Sequence, residues 1–161
     1  MGGTNLIEQA AALFHQAFEA QMRGDLDEAV RLYRRSLDTH PTAEAHTFLG
    51  WTHSFRGDLE EAIAECRRAI EVDPSFGNPY NDIGAYLIEQ GRFDEAIPWL
   101  EKAKLAPRYE APHYPCFNLA RVYVAQELLT HALRELEEAL ALRPGYAPAQ
   151  KARDALKRKI H

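Results

Sequence analysis

At 161 residues the chain can bury one continuous core, and its 46% hydrophobic and 27% charged content is that of a folded protein rather than a disordered one. No apolar run approaches the length of a membrane span, and the opening residues MGGTNLIEQAAALF lack the basic flank of a secretory signal. The formal charge is −5, yet Lys151, Arg153, Lys157, Arg158 and Lys159 against Asp154 make the tail basic and leave the remainder acidic, which argues against a general nucleic-acid binder.

Asn5 with Glu8 reads as an N-cap box and predicts a first helix from about Leu6 to Met22. In LFHQAFEAQMRGDLDEAVRLYRRSLDTHP, Leu13, Ala17 and Ala20 face a core. Gly24 and Asp25 turn and cap, and Ala29, Tyr33 and Ser36 line a return helix. The next unit begins near Thr42 and contains FLGWTHSFRGDLEEAIAECRRAIEVDP. Its His46, Leu49, Gly50 and His53 share one helix face, and Gly57 makes the turn. Asp58 with Glu61 predicts a capping box, Ala62, Cys66, Ala69 and Ile70 form the inward stripe, and Pro74 ends the helix.

The third unit, YNDIGAYLIEQGRFDEAIPWLEKAKLAP, carries Tyr80, Ile83, Gly84, Leu87, Gly91 and Ala96 in the same order. Pro98 lies inside its second helix and predicts a bend. RYEAPHYP then reads as a loop and as the place where stacking turns irregular. The fourth unit, CFNLARVYVAQELLTHALRELEEALALRP, replaces the turn glycine with Glu127 and has no good cap at Leu128. Gly145 to His161 predicts a last helix with the stripe Ala149, Ala152, Leu156 and Ile160.

Ala29, Ala62, Ala96 and Ala132 recur at intervals of 33, 34 and 36 residues, and Pro41, Pro74, Pro107 and Pro144 at 33, 33 and 37. With the helix–turn–helix pattern inside each unit, the chain resembles the tetratricopeptide repeat family. The resemblance implies an all-α, right-handed superhelical solenoid of four helix pairs plus a C-terminal capping helix. Repeats are expected at about 6–41, 42–74, 75–107 and 112–144 and the cap at about 147–160, as one domain over 1–161.

No catalytic constellation is present. The glycines are isolated, HExxH and paired CxxC are absent, and the Asp and Glu residues cluster at helix starts, where they suit the helix dipole. His46 and His53 are read as packing residues, and His15, His40, His113, His131 and His161 form no ligand spacing. No cofactor or metal is expected. Cys66 and Cys116 fall in separate repeats, too far apart for the Cα spacing of about 7 Å or less that a disulfide needs, and reduced thiols fit a cytoplasmic address.

The resemblance also implies a non-enzymatic adaptor that holds a segment of a partner protein in a concave groove lined by the first helices. At 100° per residue, Thr47 and Trp51 point away from the His46–His53 stripe. Matching the stripes places Phe14 and Phe18, Thr47 and Trp51, Asn78, Asn81 and Ile88, and Tyr114, Phe117 and Arg121 in the groove. Phe48 and Phe55 are assigned to packing between repeats. Members that bind chaperone C-terminal carboxylates present Lys and Asn in the first repeat's groove and basic residues in the third, where this chain has Phe14, Phe18, Asn78 and Asp82. The expected ligand is therefore a protein or peptide segment with aliphatic or aromatic anchors. The alternatives are a homo-oligomer burying the same surface and, more remotely, an anionic ligand or nucleic acid on the basic tail. No membrane partner is expected.

Overall fold

A computed structural model describes residues 2–160, so that Met1 and His161 lie outside the described residues. Within them are nine helices: α1 (Gly2–Met22), α2 (Leu26–Thr39), α3 (Ala43–Phe55), α4 (Leu59–Val72), α5 (Asn78–Glu89), α6 (Phe93–Leu105), α7 (His113–Ala125), α8 (Leu129–Leu142) and α9 (Ala147–Ile160). Four pairs, α1 with α2, α3 with α4, α5 with α6 and α7 with α8, pack most intimately, and α9 lies on α8. This is the all-α helical-repeat architecture expected.

Small residues set the approach of the two helices in each pair. Ala17, Ala29, Ala62, Ala96, Ala132 and Ala139 are fully buried. A Cβ on Gly50 would lie 2.9 Å from the Ala62 carbonyl oxygen, and one on Gly84 would lie 2.5 Å from Leu100 Cγ. Each pair therefore closes where side chains are missing, and larger apolar groups fill the space to either side. Tyr33 and Leu49 join the first core, Ile83, Leu87, Leu100 and Leu119 the second, and Cys116, Leu136 and Leu156 the third. The buried, unbridged thiols of Cys66 and Cys116 are both pushed up by desolvation, Cys116 to about 12.

Curvature follows from which helices meet between repeats. The backbones of α1, α3, α5 and α7 approach one another in succession. The second helices are joined instead by long side chains. Lys104 Nζ of α6 donates to Glu135 and Glu138 of α8, both at 3.2 Å, and the Arg67 guanidinium of α4 lies 4.9 Å from the Trp99 ring centroid of α6. The first helices thus line the inner side of the stack.

Several local expectations are corrected. Helix α1 begins at Gly2, so Asn5 lies within it rather than capping it. The Asp25 carboxylate caps α2 by accepting from the Glu28 amide at 3.3 Å, but Asp58 makes no such bond to α4. Pro98 lies inside α6, as expected, and is exposed. Helix α7 already starts at His113, which shortens the expected loop and takes Pro115 into the first turn.

What remains of that loop is pinned to the preceding connection. The Arg108 amide donates to Ser75 O, and the Gly77 amide to Arg108 O, both at 3.0 Å. Tyr109 packs directly on Gly77, where an added Cβ would meet its Cβ and Cγ at 2.5 Å.

Gly24, Gly57 and Gly91 turn the chain within the first three pairs with φ of +83°, +82° and +73°. Glu127 occupies the equivalent place in the fourth with φ +61°. A left-handed conformation costs a non-glycine residue about 1–2 kcal/mol, partly offset by the entropy a glycine loses on folding. Glu127→Gly is therefore expected to stabilise the protein by about 0.5–1 kcal/mol. Urea unfolding should show a higher midpoint at unchanged slope, and a lower midpoint contradicts the strain argument.

Candidate partner-binding groove

The inner face carries a run of aromatic rings from the first two repeats. Phe48 of α3 is the hub: its ring centroid lies 5.2 Å from Phe14, 5.9 Å from Phe18 and 6.0 Å from Trp51. Trp51 continues the run to Phe55 at 5.1 Å. Phe14 and Phe48 are partly buried against the first core, whereas Phe18 is 36% and Phe55 57% exposed. Phe48 thus packs between repeats as expected, and Phe55 does not. Trp51 is half-buried, with one face on the cluster.

Beside Trp51 the groove deepens into a cleft of about 340 Å³ lined by Thr47, Phe48, Trp51, Phe76, Asn78, Asp82 and Tyr114. Four residues placed in the groove from sequence, Thr47, Trp51, Asn78 and Tyr114, meet here. Toward α9, a second hollow of about 280 Å³ is lined by Phe117, Ala120, Arg121, Val124, Leu136 and Ala152.

Three assignments change. Ile88 is 8% exposed and belongs to the central core, because it lies on the side of α5 that packs against neighbouring helices. Thr47 is buried, its hydroxyl donating to Ala43 O at 2.7 Å, although it still borders the cleft. Asn81 is also buried: its Oδ1 accepts from Asn118 Nδ2 at 3.0 Å, and Asn118 Oδ1 accepts from Arg121 Nη1 at 3.0 Å. This polar line fixes α7 against α5 and leaves Arg121 at the groove surface.

Phe76 and Asn118 were not assigned to the groove from the sequence, and Asp82 was named there only as standing where carboxylate-binding repeats carry a basic residue. Phe76 comes from the connection before α5 and is held by tertiary contacts. The Arg108 guanidinium lies 4.2 Å from its ring centroid, while Arg108 Nη2 donates to Asp73 at 2.7 Å and to Glu44 at 2.8 Å. The Ser75 hydroxyl and then Arg108 hold the Asp73 carboxyl at about 2. Asp82 was legible in principle, as an acid four residues after Asn78 on the same helix face. Its carboxyl is pushed up to about 7 by burial alone, with no cation or hydrogen bond offsetting the desolvation.

Two clusters have the composition of metal ligands: His53, Glu61 and Glu65, and Cys116, Glu135 and Glu138. In each, a basic side chain of the protein already serves as the cation. Arg68 Nη1 lies 2.6 Å from Glu65 and 3.5 Å from Glu61, and Lys104 binds Glu135 and Glu138. His46 Nδ1 also lies 2.7 Å from Glu65, so this carboxylate ties α3 to α4. His53 is buried with both ring nitrogens unpaired, and desolvation lowers its pKa, which keeps the ring neutral. Among the described residues no helix is long and apolar enough to cross a membrane.

Stacked helix pairs with an aromatic inner face define a helical-repeat solenoid. A profile of the tetratricopeptide repeat matches residues 19–79 and 56–112, more than half of the chain, and the protein belongs to that family. Among curated proteins no sequence matches. Solved structures share the fold at low identity. PilF of Pseudomonas aeruginosa is 24% identical with a TM-score of 0.90, covering 96% of this chain and 70% of its own. PilW, described as a type IV pilus biogenesis factor, is 21% identical with a TM-score of 0.80, covering 87% and 64%. YrrB, described as a TPR protein with an unusual peptide-binding site, is 19% identical with a TM-score of 0.70, covering 97% and 82%.

The Asp82 carboxyl links stability to pH. The folded protein keeps this proton up to about pH 7, whereas the group ordinarily titrates at 3.8. Its favourable contribution is fully present below the unfolded value and is lost as pH rises through about 7. Asp82→Asn is accordingly expected to raise the melting temperature at pH 8 and to change it little at pH 4. Melting curves of both proteins across that range check this; a variant less stable than the parent at pH 8 contradicts it.

Proposed function

We propose that this protein is a non-enzymatic adaptor that binds a segment of another protein along its concave groove, in the cytoplasm. The observation that carries the reading is the continuity of Phe14, Phe18, Phe48, Trp51 and Phe55 with the cleft between α3, α5 and α7. A contiguous aromatic surface beside a concavity is costly to leave facing water and is the usual setting of binding hot spots. The exposed parts of Phe18, Trp51, Tyr114 and Phe117 supply apolar contact, and Asn78 and Arg121 supply polar contact to a bound backbone. Phe14, Phe48, Thr47 and Asn81 hold these groups in place from beneath. YrrB, which shares the fold, is described as having a peptide-binding site, and this supports the same use of the surface here. The unbridged thiols support a reducing compartment.

The test is to select ligands from a random-peptide display library on the immobilised protein and compare each with Trp51→Ala. Selected peptides should bind the variant at least about tenfold more weakly, as for loss of an interface anchor, while its melting temperature moves little. Peptides indifferent to Trp51→Ala, or unfolding of the variant, contradict the assignment. Sedimentation of the free protein distinguishes self-association: a dimer that Trp51→Ala dissociates means that a second copy covers this face.

A further inference from the structure

The cleft beside Trp51 combines two features that a purely apolar anchor site does not need. Its walls are four aromatic rings, Phe48, Trp51, Phe76 and Tyr114, and its lining includes the carboxylate of Asp82. Among the described residues no cation answers that carboxylate. The nearby guanidinium of Arg108 is committed to Asp73 and Glu44. That of Arg121 donates to Asn118 and lines the separate hollow toward α9. Burial holds the Asp82 carboxyl at about 7, which measures how poorly its charge is compensated in the free protein.

An anionic ligand group would meet Asp82 with like charge. A neutral aliphatic anchor would strip the carboxylate of its remaining water without replacing it. A cationic side chain satisfies both features at once, since the rings attract it through their negative faces and the carboxylate pairs with it in a partly desolvated site.

Building on the groove reading above, we propose that this cleft is a subsite for a lysine or arginine side chain of the bound segment, with Asp82 as counter-charge and Phe48, Trp51, Phe76 and Tyr114 as walls. The neighbouring titratable groups do not compete for this role. Cys66 of α4, Tyr86 of α5 and Tyr109 of the α6–α7 connection are all driven toward their neutral forms by burial and by the charge of Asp82. The site thus carries one uncompensated negative charge when Asp82 is ionised. Removing that charge stabilises the free protein and disables the subsite, a pairing of effects that a merely structural Asp82 would not give.

The experiment uses the full chain carrying Trp99→Phe, which leaves Trp51 as the single indole reporter, since the chain has two tryptophans. Acetyl-Ala-Lys-Ala-amide and its isostere with norleucine in place of lysine are titrated at pH 8, followed by Trp51 fluorescence and amide NMR shifts. The lysine peptide should bind at least about tenfold more tightly than the norleucine peptide. Asp82→Asn should abolish that preference while raising the melting temperature. Equal or tighter norleucine binding overturns the proposal, as does binding of neither peptide or a lysine preference that survives Asp82→Asn.

The outcome is separable from that of the wider reading. Library peptides that depend on Trp51 but ignore Asp82→Asn leave the groove standing and remove the cationic subsite. Lysine-peptide binding with no library ligand does the reverse.

Discussion

The structure depends on one repeated contact, the close approach of the two helices of each pair at positions without side-chain bulk. Gly50 against Ala62, and Gly84 against Leu100, bring the helices to a separation that a larger residue would prevent. Overpacking such a contact costs about 1–3 kcal/mol, because neighbours in a dense core have nowhere to move. Once the pairs close there, the larger groups beside the contact are left to meet the next pair. Phe48 packs back on Tyr33 and Phe14, and Leu119 reaches the core of the third repeat. Curvature, and with it the groove, follows from a local steric condition repeated along the chain.

The groove inherits its chemistry from the side of the first helices opposite this contact. Residues there are free of the small-residue requirement, so their identities differ from repeat to repeat: rings in the first two, Asn78 and Asp82 in the third, Tyr114, Phe117 and Arg121 in the fourth. Between the second and third repeats the aromatic and polar halves meet, and the cleft forms at that junction. Its remaining wall depends on the pinned loop, where Arg108 is held by two acids and stacks on Phe76. That loop is where the fourth repeat departs from the spacing of the others, so an irregularity in the solenoid contributes directly to the concavity.

Period and helix patterning made the helix pairs and most of the inward stripe legible, since small residues at fixed spacing have one physical explanation. The left-handed turn at Glu127 was legible as a missing glycine, though the sequence does not show that the backbone keeps the glycine conformation. Ile88 was misplaced because a helix near the centre of the stack is covered on more sides than a simple inside–outside stripe allows. Phe76 could not be found by helical spacing because it lies outside every helix, and the Arg108 contacts that fix it span a whole repeat. Asp82 was read only as a departure from the basic residue of carboxylate-binding repeats, because the rings around it, Phe48, Trp51, Phe76 and Tyr114, come from other parts of the chain.

The central claim is that the inner face of α3, α5 and α7 receives the partner segment. Hydrogen exchange measured by mass spectrometry, with and without a library-selected peptide, tests it most directly. The account predicts added protection in α3, α5, α7 and the two connections that hold Ser75 and Tyr109, with the outer helices α4, α6 and α8 unchanged. Protection confined to the outer helices or to α9 would contradict it.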